Sequence, residues 1–305
     1  MAVVCVVDGR DRLGVGPCWS AAEGCLYWFD LAGRRLSWFE SASGASGSWP
    51  LPVRVSAAAA LAGGGLIAAT ERGLARVDTD SGALSLVEPI DLGDDCRPGA
   101  GAIDSLGRFW WSCMHDAAQA QGEVWRTDAD GTTRRVTQDV LVPAGLTAAS
   151  DGETLYLADA GRKALFECAL ATDGSLADRR LFARAEEGAP HGGALDAEGY
   201  LWSACRGGGK VVRYAPDGGV DRIVSMPVRQ PCALAFGGPD LGILYVTSAR
   251  VGLPGEAFEP EPKAGGLFAF YPGVRGLPRP AFEGWRGRAG EPIIALTPDA
   301  RGPQE

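Results

Sequence analysis

Only two side chains in this sequence have an ordinary pKa close to neutrality. It holds two histidines, His115 and His191, too few for a centre built on three imidazoles. His191 stands in Pro190-His191-Gly192-Gly193, directly before an inner strand of a repeat. There an imidazole with its ordinary pKa near ~6.5 would serve as general acid or base; hydrogen bonding within the loop is the plainer alternative. Cys232, in Gln230-Pro231-Cys232, precedes the inner strand of the last repeat in the same way. A Cys/His pair at one mouth would permit covalent catalysis, although a small buried thiol explains Cys232 as well. Asp116, beside His115, reads as a solvated loop charge before it reads as a lid acid.

The generic catalytic motifs are missing. The sequence contains no G-x-S-x-G elbow and no H-E-x-x-H pair, and Gly207-Gly208-Gly209-Lys210 runs into Val211 without the spacing or hydroxyl of a phosphate loop. None of the eight cysteines forms a C-x-x-C, and several lie inside apolar strands, so they read as buried thiols and a zinc ribbon is excluded.

The elements that must position these residues recur. Short apolar strands follow turns rich in Gly, Asp or Glu at Leu26 to Asp30, Leu66 to Thr70, Phe109 to Cys113, Leu155 to Asp159, Leu201 to Cys205 and Leu244 to Ser248. Their first residues lie 40, 43, 46, 46 and 43 positions apart, a spacing that marks propeller blades. Each is followed by a second strand, such as Arg35 to Glu40 or Val211 to Tyr214, and three of these end in turns carrying Asp130-Gly131, Asp173-Gly174 or Asp217-Gly218. The sequence predicts an all-β, six-bladed β-propeller in a single domain over residues 1–296. Residues 297–305 form a loose tail, and Ala2 to Val7 is the strand that closes the ring, since an open blade edge would leave backbone groups unpaired.

The balance of 29 Lys plus Arg against 38 Asp plus Glu gives a net charge of -9, which opposes binding to a phosphate backbone. No run of about 18 apolar residues is present to span a membrane, and Met1 to Arg10 lacks the pattern of a signal peptide. The expectation is a soluble cytoplasmic protein whose partner is a small molecule rather than nucleic acid or membrane.

The strands and turns resemble the senescence-marker-protein/gluconolactonase family, which includes regucalcin and bacterial sugar lactonases. The resemblance covers Leu13-Gly-Val-Gly-Pro-Cys-Trp19, Leu26 to Asp30, Arg97 with Gly107-Arg-Phe-Trp110 and Met114, Asp151 to Tyr156, Asp196 to Trp202, and Phe236 to Arg250. It implies a divalent metal on the propeller axis, held by a Glu, an Asn and an Asp, that polarises a lactone carbonyl and helps to make the nucleophile. At the matching positions this chain has Val15, Ala144 and His191. The family's substrate motif Arg-x-Asn-Asp-Gly reads Arg97-Pro98-Gly99-Ala100-Gly101, which keeps only the arginine, and a further acidic position falls near Ala117. Framework residues such as Trp19, Arg108 and Arg250 persist.

The resemblance thus implies a retained scaffold with a reworked centre that is larger and more apolar, suited to a small organic ligand. His191 and Arg97 are the candidate catalytic residues, Arg97 binding a carboxylate or an oxyanion. Val15, Ala100, Ala144, Cys232 and Trp19 are candidate substrate contacts, and neither a resident metal nor another cofactor is expected. Three functions stay open: a metal-independent enzyme, a binding protein without turnover, and a lactonase whose divalent metal is held by a rearranged site.

Overall fold

The computed structural model describes residues 1–115, 121–171, 173–253, 261–284 and 294–296. Asp116 and Ala117, most of the Pro-rich segment after Val251, and the 297–305 tail lie outside the described residues. Strands form six antiparallel sheets, five of four strands and one of five, and no helix occurs among the described residues. The first strands of the six blades are Gly14–Ser20, Val55–Ala60, Cys96–Ile103, Pro143–Ala148, Ala189–Leu195 and Pro231–Gly237. Each touches the first strand of the next blade, and that of blade 6 touches that of blade 1, so together they surround an axis.

The recurring apolar segments are the second strand of each blade: Cys25–Asp30, Leu66–Thr70, Phe109–His115, Thr154–Asp159, Leu201–Arg206 and Ile243–Ser248. They read as continuous apolar runs because both faces are covered. In blade 2, Leu66 and Ala68 pack toward blade 1 with Tyr27 and Phe29, whereas Ile67 and Ala69 pack toward blade 3 with Phe109 and Trp111. Six such layers, one between each pair of neighbours, make up the core. The strands expected after them are the third strands, and Gly131, Gly174 and Gly218 in the turns that follow have φ of 85°, 75° and 85°, conformations that glycine adopts without strain.

Blade 6 is assembled from both ends of the chain. Val4–Val7 forms its outer strand, pairing with Leu267–Phe270 at Val4↔Ala269 and Cys5↔Phe268. Ile294–Ala295 adds a fifth strand to blade 2 against Ser85 and Leu86. Between these segments, residues 271–284 strap one end of the ring. Arg275 O accepts from Ala197 N at 2.8 Å, Arg279 Nη1 donates to Ala148 O at 2.8 Å, and Phe282 N donates to Ala60 O at 2.7 Å. Ala60 and Ala148 are the last residues of their first strands, so the strap crosses the end where the first strands finish.

Candidate active site

At the other end, where the first strands begin, a cavity opens on the axis. It is lined from all six first strands, by Val15, Ser56, Arg97 to Gly101, Pro143 to Leu146, His191 to Gly193, Ala233 and Leu234, together with side chains from flanking segments. With its open mouth and the solvent space in it, it spans about 820 Å³.

The residues reach the axis through a repeated irregularity. Every first strand slips register against its second strand at the cavity: between Val15 and Cys18, Val55 and Ala57, Pro98 and Gly101, Pro143 and Gly145, Pro190 and Gly193, and Pro231 and Ala233. A bulge leaves a residue out of the ladder and re-aims it. His191 and Cys232 therefore lie within inner strands, on their bulges, and not in loops preceding them. Glycine permits the crowding: a Cβ on Gly145 would meet His191 O at 2.5 Å, and one on Gly192 would meet Cys232 O at 3.1 Å.

Among the candidates named from sequence, Val15, Arg97, Ala100, Ala144 and His191 come together around this cavity. Cys232 does not line it. Its thiol is fully buried in the apolar layer that also holds Leu13 and Val15, Sγ donates to Gln230 O at 3.3 Å, and burial pushes its pKa up to about 12. Its carbonyl oxygen meets the His191 ring instead. Trp19 does not line the cavity either: it stacks on Tyr245 with centroids 6.2 Å apart and packs over Gly237, a framework contact between blades 1 and 6. His115 ends a second strand outside the lining.

His191 is half-buried, and its Nδ1 lies 2.9 Å from the Cys232 carbonyl oxygen. A carbonyl only accepts, so Nδ1 carries the proton and Nε2 keeps its lone pair for the cavity. The expected pKa near 6.5 does not hold. Burial lowers it to about 4, the Arg206 charge adds to the effect, the bond to Cys232 partly opposes it, and Arg97 contributes further in the lowering direction. At neutral pH the ring is uncharged.

Arg206 is the lining residue that sequence reasoning missed. It closes the second strand of blade 5, the place held by Asp30 in blade 1 and Asp159 in blade 4. Those carboxylates accept from the backbone leading into their own first strands: Asp30 from Arg12 N and Leu13 N at 2.9 Å, Asp159 from Leu141 N and Val142 N at 3.1 Å. An arginine cannot accept. Arg206 Nε instead donates to Gln230 Oε1 at 2.7 Å and Nη2 to Val251 O at 3.2 Å. The available signal was a cation ending an apolar run where two other runs end in aspartate.

No carboxylate or carboxamide side chain lines the cavity among the described residues, and these contain no group of three or more His, Cys, Asp or Glu placed to hold a metal ion.

Similarity to known proteins agrees with this architecture. The family profile described as SMP-30/Gluconolactonase/LRE-like region matches residues 13–250. A 6-deoxy-6-sulfogluconolactonase of Pseudomonas putida is 34% identical over 286 residues, which cover 92% of this chain and 98% of that protein. An L-arabinolactonase of Azospirillum brasilense is 34% identical over 290 residues, covering 92% and 95%. A crystal structure of a calcium-binding protein, regucalcin, from Agrobacterium tumefaciens strain C58 superposes with a TM-score of 0.86 at 29% identity, covering 92% of this chain and 97% of that one. The propeller, its axial cavity and the match across most of the six blades have one origin: the chain belongs to the SMP-30/gluconolactonase/LRE-like family, and its scaffold is that of lactone-hydrolysing enzymes.

Proposed function

We propose that the protein is a small-molecule hydrolase that opens a lactone in the axial cavity without a divalent metal, with His191 handling the proton and Arg97 binding the carbonyl or an anionic oxygen. The observation that carries this reading is the meeting of one imidazole and two guanidinium groups in a cavity with no carboxylate among its described lining residues. Lactonase relatives supply the reaction class. The donor set argues against a hard dication, which takes about six or more oxygen ligands. Val15 and Ala144 offer only backbone there, and two neighbouring cations repel a third.

The chemistry then falls to this chain's own residues. His191 Nε2 accepts a proton from a water as the water oxygen adds to the lactone carbonyl, and Arg97 stabilises the negative charge on the carbonyl oxygen. When the tetrahedral centre collapses, the ring C–O bond breaks and the imidazolium returns its proton to the leaving oxygen, giving a hydroxy acid. With a pKa of about 4 the imidazole is a weak base and its conjugate acid a strong one, so it gives the proton back readily. Eight free thiols fit a reducing compartment, which supports a cytoplasmic location.

The test is lactone turnover by chelator-treated protein, with His191→Ala alongside. Activity should survive chelation and fall about 10²–10⁴-fold in the variant. Loss on chelation with recovery on adding metal would establish a rearranged metal-dependent lactonase instead, unchanged turnover by His191→Ala would remove the acid/base role, and binding without turnover would make the protein a carrier.

A further inference from the structure

The cavity has two unlike sides. Blades 1, 2 and 6 present the apolar Leu13, Val15, Leu31, Ala58, Ala233 and Leu234, with Ser56 as the one hydroxyl among the described lining residues. Blades 3 and 5 present Arg97, His191 and Arg206. The second side includes a cation held in place by neutral groups. Arg206 is half-buried and its two protein bonds go to a side-chain amide and a backbone carbonyl, so neither cancels its charge. Gln230 is itself 7% exposed, which fixes Nε and aims the rest of the guanidinium. Nη1 has no protein partner among the described residues. Elsewhere the buried arginines have carboxylates: Arg213 meets Asp196 at 2.8 Å and Arg108 meets Asp104 at 2.6 Å.

A half-buried guanidinium without a counter-charge is costly unless an anion arrives with the ligand. The fork geometry that remains suits a carboxylate. The opposite wall points the same way: a polyhydroxylated ring would need a partner for each buried hydroxyl, and the side chains able to bond in the described lining are Ser56, Arg97, His191 and Arg206. Resting on the hydrolase reading above, we infer that the substrate is a small lactone carrying one carboxylate and few hydroxyls, its apolar face on Val15 and its carboxylate on Arg206. Arg206 is then the residue that sets specificity, and Gln230 positions it.

Four probes test this on the full chain: 5-oxotetrahydrofuran-2-carboxylate, its neutral carboxamide, D-glucono-1,5-lactone, and the unreactive cyclopentanecarboxylate for equilibrium binding. The carboxylate lactone should exceed both the carboxamide and gluconolactone in kcat/KM by about 10–100-fold. Arg206→Gln should erase that advantage, so that carboxylate and carboxamide turn over at similar rates, and weaken cyclopentanecarboxylate binding at least about tenfold, while Arg206→Lys restores part of both. Equal rates for carboxylate and carboxamide, a preference for gluconolactone, or cyclopentanecarboxylate binding that is absent or indifferent to Arg206→Gln would overturn the assignment. Turnover without carboxylate preference would end this inference and keep the hydrolase. Arg206-dependent binding without turnover would keep the carboxylate site and end the hydrolase.

Discussion

The strapped end of the propeller and the wall of the cavity treat charge in opposite ways. At the strapped end, buried aspartates are saturated. Asp196, with no exposed surface, accepts from Glu198 N and Tyr200 N at 3.0 Å, Trp202 Nε1 at 2.9 Å and Arg213 Nε at 2.8 Å. Asp104 repeats the arrangement two blades earlier with Leu106 N, Arg108 N, Arg108 Nε and Trp110 Nε1. At the cavity end Arg206 has only neutral partners, and the imidazole of His191 is held uncharged beside it. A charge answered entirely within the protein maintains the fold, and a charge left partly unanswered is available to a ligand.

The contrast breaks first at Asp196. Asp196→Ala takes the acceptor from the Trp202 indole and the Glu198 and Tyr200 amides and one of three carboxylates from Arg213, and urea unfolding should show a loss of about 3–5 kcal/mol. A loss below about 1 kcal/mol would mean that the strapped end is no more committed to the fold than the cavity.

The next effect is one of pH. With the folded pKa of His191 near 4 and an unfolded value near 6.5, the folded chain holds fewer protons than the unfolded chain between those values. The His191 contribution to stability is constant above pH 6.5, falls as pH drops through the window, and levels off below about 4. The difference between wild type and His191→Gln should reach up to about 3 kcal/mol across it. In the same window the base remains neutral, so kcat/KM should decline near pH 4 rather than near pH 6.5.

The smallest effect is at Cys232. The thiol lies in the core and only its carbonyl meets His191, so Cys232→Ser should cost about 1 kcal/mol of stability and change kcat/KM by less than about twofold. A larger kinetic change would return the thiol to the chemistry.

The sequence revealed the blades through the second strands, of which only Met114 and Arg206 line the cavity among the described residues. Leu66, Ile67, Ala68 and Ala69 are each wedged between two neighbouring blades, and burial on both faces writes an unbroken apolar run. First strands carry no such signature. Val55–Ala60 reads VSAAAA and Pro143–Ala148 reads PAGLTA, because small residues, Gly and Pro are what close packing and bulges at the axis require. The strands that build the site were therefore the hardest to see, and their channel positions became legible only through the family resemblance. Trp19 was misplaced because an aromatic residue in a matched segment says nothing about which face it takes. Arg206 was passed over because it stands one residue beyond the apolar run ending at Cys205, and no periodicity distinguishes a strand's last residue from the turn that follows.

The strap of residues 271–284 bears on traffic. It bonds to Ala197, Ala148 and Ala60 across the end where the first strands finish, and the cavity opens at the other end. A lactone and the hydroxy acid made from it would pass the same rim in opposite directions. Under the proposed reaction the outgoing acid would carry a fresh carboxylate past Arg206, so the group suited to catching the substrate would also delay the product.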